Sequence, residues 1–338
     1  MGSTAHAPDR SGRPRLGSVE RRLLAAADFV GRRGPRKLVG MSIDEREQLA
    51  LPDVTAQFTF SAHSDRGAVR KLNEDSFLAA VPLFVVADGM GGHSYGDRAS
   101  QAAIGAFEEN FTTDDPAAAQ RVLDTIRLAN DAVLELTAGE GPGGAISGTT
   151  LTGMAFVDVG GENNYHWMAF NVGDSRTYSW DGRNLSQMSV DHSAVQELVD
   201  LGHITKREAE KHPERNIVTR ALGADGEVDP DVWLLPAKGH QTFLLCSDGL
   251  TKELSDDEIA RIIVFHHAEV LRETDRLPLT LAERLVNAAI AAGGSDNVTV
   301  VVVESDLIGA AVVGAATGDD TVDRDALSRN LEETRPRA

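Results

Sequence analysis

Apolar and polar residues alternate at Phe58, Phe60 and Ala62, the period-two signature of a strand with one buried face. Further apolar runs predict strands at 83–87, 150–158, 165–172, 176–180, 232–235, 242–247 and 298–304. Several of these follow one another through short turns such as Asp181-Gly182, which favours antiparallel hairpins over crossover units. Helical spacing predicts helices over 97–111, 116–137, 193–202, 205–211, 256–267 and 279–292. Strands grouped apart from long helices point to an α+β layered domain and not to a doubly wound sheet.

The ends of the chain read differently. Residues 1–55 form an extension to a folded unit spanning 56–305, and residues 306–338 form a flexible acidic tail. Met1 to Gly17 is rich in Gly, Ser, Pro and Arg, the composition of a disordered segment. Leu16, Val19, Leu23, Ala27 and Val30 then recur at helical spacing, with Arg21, Arg22, Arg32, Arg33, Arg36 and Lys37 around them. Such a basic amphipathic helix either meets an anionic surface or partner, or packs on its own domain.

With 338 residues and 41% hydrophobic content, the chain can bury one large core or two small ones. Its net charge of −19 argues against a general nucleic-acid binder, which would show a basic footprint. The one cysteine, Cys246, excludes an intramolecular disulfide and argues against a thiolate zinc site, and its place in an apolar run makes it a core residue. The apolar stretch from Val298 to Ala316 is broken by Glu304, Asp306 and Gly309, short of the roughly 20 residues a membrane span needs. A soluble, cytoplasmic protein without a membrane span is expected.

Chemistry enters where apolar runs meet acids. Val85-Val86-Ala87-Asp88-Gly89, Leu244-Leu245-Cys246-Ser247-Asp248-Gly249 and Ser295-Asp296-Asn297-Val298 each set an aspartate at the end of a strand. A buried strand gains nothing from an unpaired carboxylate at its rim, since such a charge is costly to desolvate. With Glu74, Asp75 and Asp174 added, the candidate donors are all oxygen, which suits Mg²⁺ or Mn²⁺ better than Zn²⁺. Arg70, four residues before Glu74, supplies a guanidinium able to grip phosphate oxygens in a fork. A metal-dependent phosphatase accounts for this set.

The motifs sharpen that reading. Arg70-x-x-Asn73-Glu74-Asp75, Asp88-Gly89-Met90-Gly91-Gly92-His93, Gly148-Thr149-Thr150, Gly173-Asp174-Ser175-Arg176, Asp191-His192-Ser193, Thr219-Arg220-Ala221-Leu222-Gly223, Ser247-Asp248-Gly249-Leu250 and Ser295-Asp296-Asn297-Val298-Thr299 stand in that order. Over 57–304 the chain resembles the bacterial metal-dependent protein serine/threonine phosphatases of type 2C. The resemblance implies a four-layer α-β-β-α sandwich, two central antiparallel sheets flanked by helices, with metals at one end. It implies two ions, Mn²⁺ or Mg²⁺, with Asp88 between them, the Gly89 carbonyl on one, and Asp248 and Asp296 completing the other shell. Asp75 supplies a further acidic group, and Asp174 is similar to the ligand of a weaker third ion. Arg70 corresponds to the phosphate-binding arginine, and 193–218 to a variable flap beside the site.

The implied activity is hydrolysis of phosphoserine and phosphothreonine in proteins by a hydroxide activated between two metals, counteracting a cognate bacterial Ser/Thr kinase. A monomer is expected. Met90 stands where animal members carry a histidine as leaving-group acid; His93 either takes that role or orients its loop. His192 is expected to support structure. Two other readings stay open: a catalytically dead scaffold, whose signature would be loss of Asp88, Asp248 or Asp296, and a phosphatase dedicated to one regulator.

Overall fold

Phe58, Phe60 and Ala62 are buried while Thr55, Gln57 and Thr59 are partly exposed, so the predicted alternation places one face of a long strand in a core. That strand is β2, Thr55–Asp65, in the computed structural model, which describes residues 42–91, 95–111, 115–137, 147–161, 164–271 and 279–309. It pairs on one side with β1 (Ile43–Ala50) and on the other with β13 (Val298–Ile308). Next come β12 (His240–Cys246), β9 (Arg176–Trp180) and β10 (Leu185–Gln187), giving the order β1-β2-β13-β12-β9-β10, antiparallel throughout.

The second sheet runs β11 (Asp231–Pro236), β8 (Tyr165–Val172), β7 (Leu151–Asp158), β4 (Leu83–Gly91) and β3 (Asp75–Ala80). Two short strands extend it: β5 (Ala117–Ala118) lies parallel to β7, and β6 (Ser147–Thr149) pairs with β4. The inner faces of the sheets meet around Phe58, Phe60, Phe84, Phe156, Trp167, Phe243, Val301 and Val303. Trp167 packs edge-on against Phe58, Phe156 and Phe243 at centroid distances of 5.9, 5.5 and 5.2 Å. Edge-to-face packing of this kind suits the ring quadrupoles.

Each outer sheet face carries helices. α1 (Gly96–Asn110) and α2 (Ala119–Thr137) cover the second sheet through Phe107, Ile126, Leu151 and Phe170. Beyond β10 the chain makes α3 (Ala194–Asp200) and α4 (Lys206–Ala209), the elements of the 193–218 segment. The first sheet is covered by α5 (Asp248–Glu253), α6 (Asp256–Val270) and α7 (Leu281–Ala292), packed on Leu244, Cys246, Val300 and Val302. Capping boxes start α4, α6 and α7, at Thr205/Glu208, Ser255/Glu258 and Thr280/Glu283. The layers are α-β-β-α, as the resemblance implied.

Two boundaries need correction. Residues 43–50, assigned by sequence to the extension, form the edge strand β1, and β13 runs past residue 305 to Ile308. β1 reads Ile-Asp-Glu-Arg-Glu-Gln-Leu-Ala, and only Ile43 is fully buried. An edge strand pairs on one side and keeps charge on the other, so its hydrophobic pattern is faint. The basic segment proposed for 16–37 and the tail from residue 310 lie outside the described residues.

Candidate active site

β3 and β4 are neighbouring antiparallel strands, and their register sets Asp75 directly opposite Asp88. Asp75 is 1% exposed and Asp88 partly buried, so two carboxylates stand opposite each other at the edge of the core. Burial first, then the Asp75 charge, pushes the Asp88 carboxyl well above the usual range. Burial likewise raises Asp75, to about 7. Native strand pairs avoid like charges at opposing positions, because repulsion in a poor dielectric is strong.

Asp75 is fixed by a chain of hydroxyls. The Asn73 amide donates to Ser64 Oγ (2.8 Å), Ser64 Oγ lies 2.7 Å from Thr299 Oγ1, and Thr299 donates to Asp75 Oδ2 at 2.7 Å. Ser247 Oγ donates to the same oxygen at 2.8 Å. Asp75 Oδ1 is buried with no hydrogen-bond partner. One oxygen is held in place while the other faces into the site.

Asp88 is clamped through its backbone. Its carbonyl accepts from Thr150 N–H (2.9 Å) and Thr149 Oγ1 (2.9 Å), and its N–H donates to Thr150 Oγ1 (3.0 Å). This is what Gly148-Thr149-Thr150 does. Gly89 follows because a Cβ there would meet the Gly96 carbonyl at 2.0 Å and the Glu74 carbonyl at 2.6 Å. The bare Cα thus serves first to let the start of α1 approach β4, a reason beyond the metal access inferred from sequence.

Asp174 sits in the turn between β8 and β9. Gly173 before it is tied down twice: its N–H donates to His192 Nδ1 (3.0 Å), and its carbonyl accepts from His192 N–H (2.9 Å). His192 is therefore the structural residue that the sequence suggested. Burial, then the nearby Asp248 charge, raises Asp174 to about 7.

Asp248 opens α5 and Asp296 precedes β13; each strand end hands its aspartate to the same rim. Lys252, one helical turn after Asp248, reaches Asp248 Oδ2 at 2.5 Å and Asp296 Oδ2 at 2.7 Å. Arg70 lies on Asp296 in a fork, Nε to Oδ1 at 2.8 Å and Nη2 to Oδ2 at 2.9 Å. Its side chain is 48% exposed, so the guanidinium stands at the mouth of the site. Asp248 Oδ1 is buried and has no hydrogen-bond partner.

Three residues outside the sequence-based candidate set hold the site together. Asn297 accepts from Glu74 N–H (2.9 Å) and donates to the Arg66 and Leu72 carbonyls (3.0 and 2.8 Å), joining the Arg70 loop to the Asp296 loop. Ser247 links Asp75 to β13 by accepting from Thr299 N–H at 2.9 Å. Lys252 is the third. Asn297 and Ser247 sit beside motif aspartates, so adjacency was a usable signal; for Lys252 the one signal was its i,i+4 spacing from Asp248. His93 lies outside the described residues.

A divalent ion fits this donor set on three counts. The ligand atoms are hard oxygens, two buried oxygens are orphaned, and buried like charges lack enough protein cations. Among the described residues no set of three acidic, His or Cys side chains forms a finished cation cage. Lys252 and Arg70 instead hold Asp248 and Asp296, and an ion would displace at least one of these contacts.

Sandwich and acidic rim together define a metallophosphatase scaffold, and the comparisons agree. The model of the Protein phosphatase 2C family matches residues 62–288. The serine/threonine protein phosphatase PstP of Mycobacterium tuberculosis is 36% identical over 276 residues, covering 79% of this chain and 50% of PstP. The serine/threonine phosphatase stp of Listeria monocytogenes is 34% identical over 256 residues, covering 72% of this chain and 94% of stp. The solved catalytic domain of PstP in complex with 2 manganese ions superposes with a TM-score of 0.61 at 35% identity, covering 75% and 99% of the two chains. This chain belongs to the protein phosphatase 2C family. It spans about half the length of the mycobacterial PstP it matches.

Proposed function

We propose that this protein hydrolyses phosphoserine and phosphothreonine on other proteins, using two divalent cations, Mn²⁺ or Mg²⁺. The supporting observation is the Asp75–Asp88 pair, a buried and a partly buried carboxylate in register with one orphaned oxygen. Asp75, Asp88, the Gly89 carbonyl, Asp248 and Asp296 would hold the two ions, and Asp174 a weaker third. Bound cations lower the pKa of water to the neutral range and stabilise the charge of an in-line displacement.

The chain's own residues do the rest. Ser247 and Thr299 fix Asp75 so that its free oxygen keeps its direction, and Thr149 and Thr150 fix Asp88. Arg70, exposed at the rim, turns from Asp296 to grip phosphoryl oxygens when substrate arrives. The 193–218 segment starts directly after His192, which is bonded to Gly173 beside Asp174, and from there it would influence which phosphoprotein enters. The protein would act on phosphoproteins made by a cognate Ser/Thr kinase, as a cytoplasmic monomer. Among the described residues no helix is long and apolar enough to cross a membrane. Presence of Asp88, Asp248 and Asp296 counts against the scaffold reading.

The test is hydrolysis of p-nitrophenyl phosphate with Mn²⁺, Mg²⁺ or EDTA, beside Asp88→Asn. Turnover should require metal and fall by more than about a thousandfold in the variant, while circular dichroism stays native. Near-normal turnover in Asp88→Asn, or turnover in EDTA, would overturn the metal assignment.

A further inference from the structure

We propose that Lys252 is an internal counter-cation of the metal site: its ammonium holds Asp248 and Asp296 together in the metal-free protein and is displaced from them by a divalent ion. This rests on the site reading above and adds a residue that sets how much metal the protein needs. Lys252 Nζ lies 2.5 Å from Asp248 Oδ2 and 2.7 Å from Asp296 Oδ2, bridging a carboxylate of its own helix to one on the loop before β13. Asp296 is saturated by cations, Arg70 on both oxygens and Lys252 on one. Two carboxylates are thus balanced by two cationic side chains. This is the charge a dication would bring.

Several features make the lysine a displaceable partner and not a fixed strut. A lysine ammonium is a compact point charge on a flexible stem, able to swing off the carboxylates. The loop it touches has other anchors. Neighbouring Glu253 accepts from Ser295 N–H at 2.8 Å, and Asn297 holds the loop to Arg66, Leu72 and Glu74. Releasing Lys252 therefore leaves the Asp296 loop in place. A dication and an ammonium sharing the same two carboxylates repel each other strongly at a few ångströms. While Lys252 occupies them, each metal-binding event works against it.

The experiment is calorimetric titration of Mn²⁺ into the metal-stripped full-length chain, for wild type, Lys252→Gln, Lys252→Arg and Asp88→Asn. Lys252→Gln should bind Mn²⁺ about tenfold more tightly or better, and melt at a lower temperature in EDTA, because the carboxylates lose their partner. Lys252→Arg, which keeps the charge, should stay near wild type on both readouts. Equal or weaker Mn²⁺ binding by Lys252→Gln overturns the proposal. The wild-type chain gives a check that needs no variant: the Lys252 side-chain ¹⁵Nζ resonance should shift on adding Mg²⁺, and an unmoved resonance at saturation also overturns it. No Mn²⁺ binding by wild type, or unaltered binding by Asp88→Asn, would instead sink the metal-site reading itself.

Discussion

Arg70 and Asn297 show how single side chains divide the work at this rim. Arg70 is half exposed and ends on Asp296, so its fork can leave for a phosphate without unpacking the core. Arg70→Ala should raise KM for a phosphopeptide about tenfold or more with a smaller effect on kcat, because substrate grip is lost while the buried carboxylates remain. Unchanged steady-state kinetics would refute that role. Asn297 is buried, and its three hydrogen bonds reach two other segments of chain. Asn297→Ala removes all three bonds to part-buried backbone groups and should cost about 1–3 kcal/mol in urea denaturation. Motif spacing exposed the acids and the arginine. The role of Asn297 did not show, because an amide beside an aspartate looks the same in any loop.

At the level of elements, the clearest case is β1. Eight residues of β1 pair along β2, and the register runs from Ile43–Ala62 to Ala50–Thr55. Without β1, β2 would present a bare edge of unpaired backbone groups beside an apolar face. A chain starting at residue 42 should therefore stay monodisperse, whereas one starting at residue 55 should aggregate and melt several degrees lower, measured by light scattering and calorimetry. Equal behaviour of the two would show that β1 is dispensable. The central strands were legible because both faces are buried and their runs are apolar. β1 was hidden by its charges, β3 by the acidic motif that opens it, and α5 by being only 6 residues long.

Over the whole molecule, the decisive quantity is the charge gathered where the sheets end. Asp75 and Asp174 are raised to about 7 and Asp88 well above 3.8, each chiefly by burial. Between about pH 4 and pH 7 the metal-free native state thus binds more protons than the unfolded chain, so its stability falls as pH rises. In EDTA the melting temperature should be higher at about pH 5.5 than at about pH 7.5, and Mn²⁺ should raise it more at the higher pH, where it competes with fewer protons. A metal-induced shift independent of pH would contradict this. The sequence by itself determined the layered α+β class, the family and the acid-and-arginine set, because strand periodicity and motif order are local properties of the chain. Only the tertiary structure set Asp75 against Asp88, closed the Thr299–Ser247 hydroxyl chain and brought Lys252 of α5 onto Asp296 in the loop before β13. Those facts depend on strand register and on contacts between segments far apart in sequence, such as Asp75 with Thr299 at a separation of 224 and Lys252 with Asp296 at 44, which no local pattern encodes.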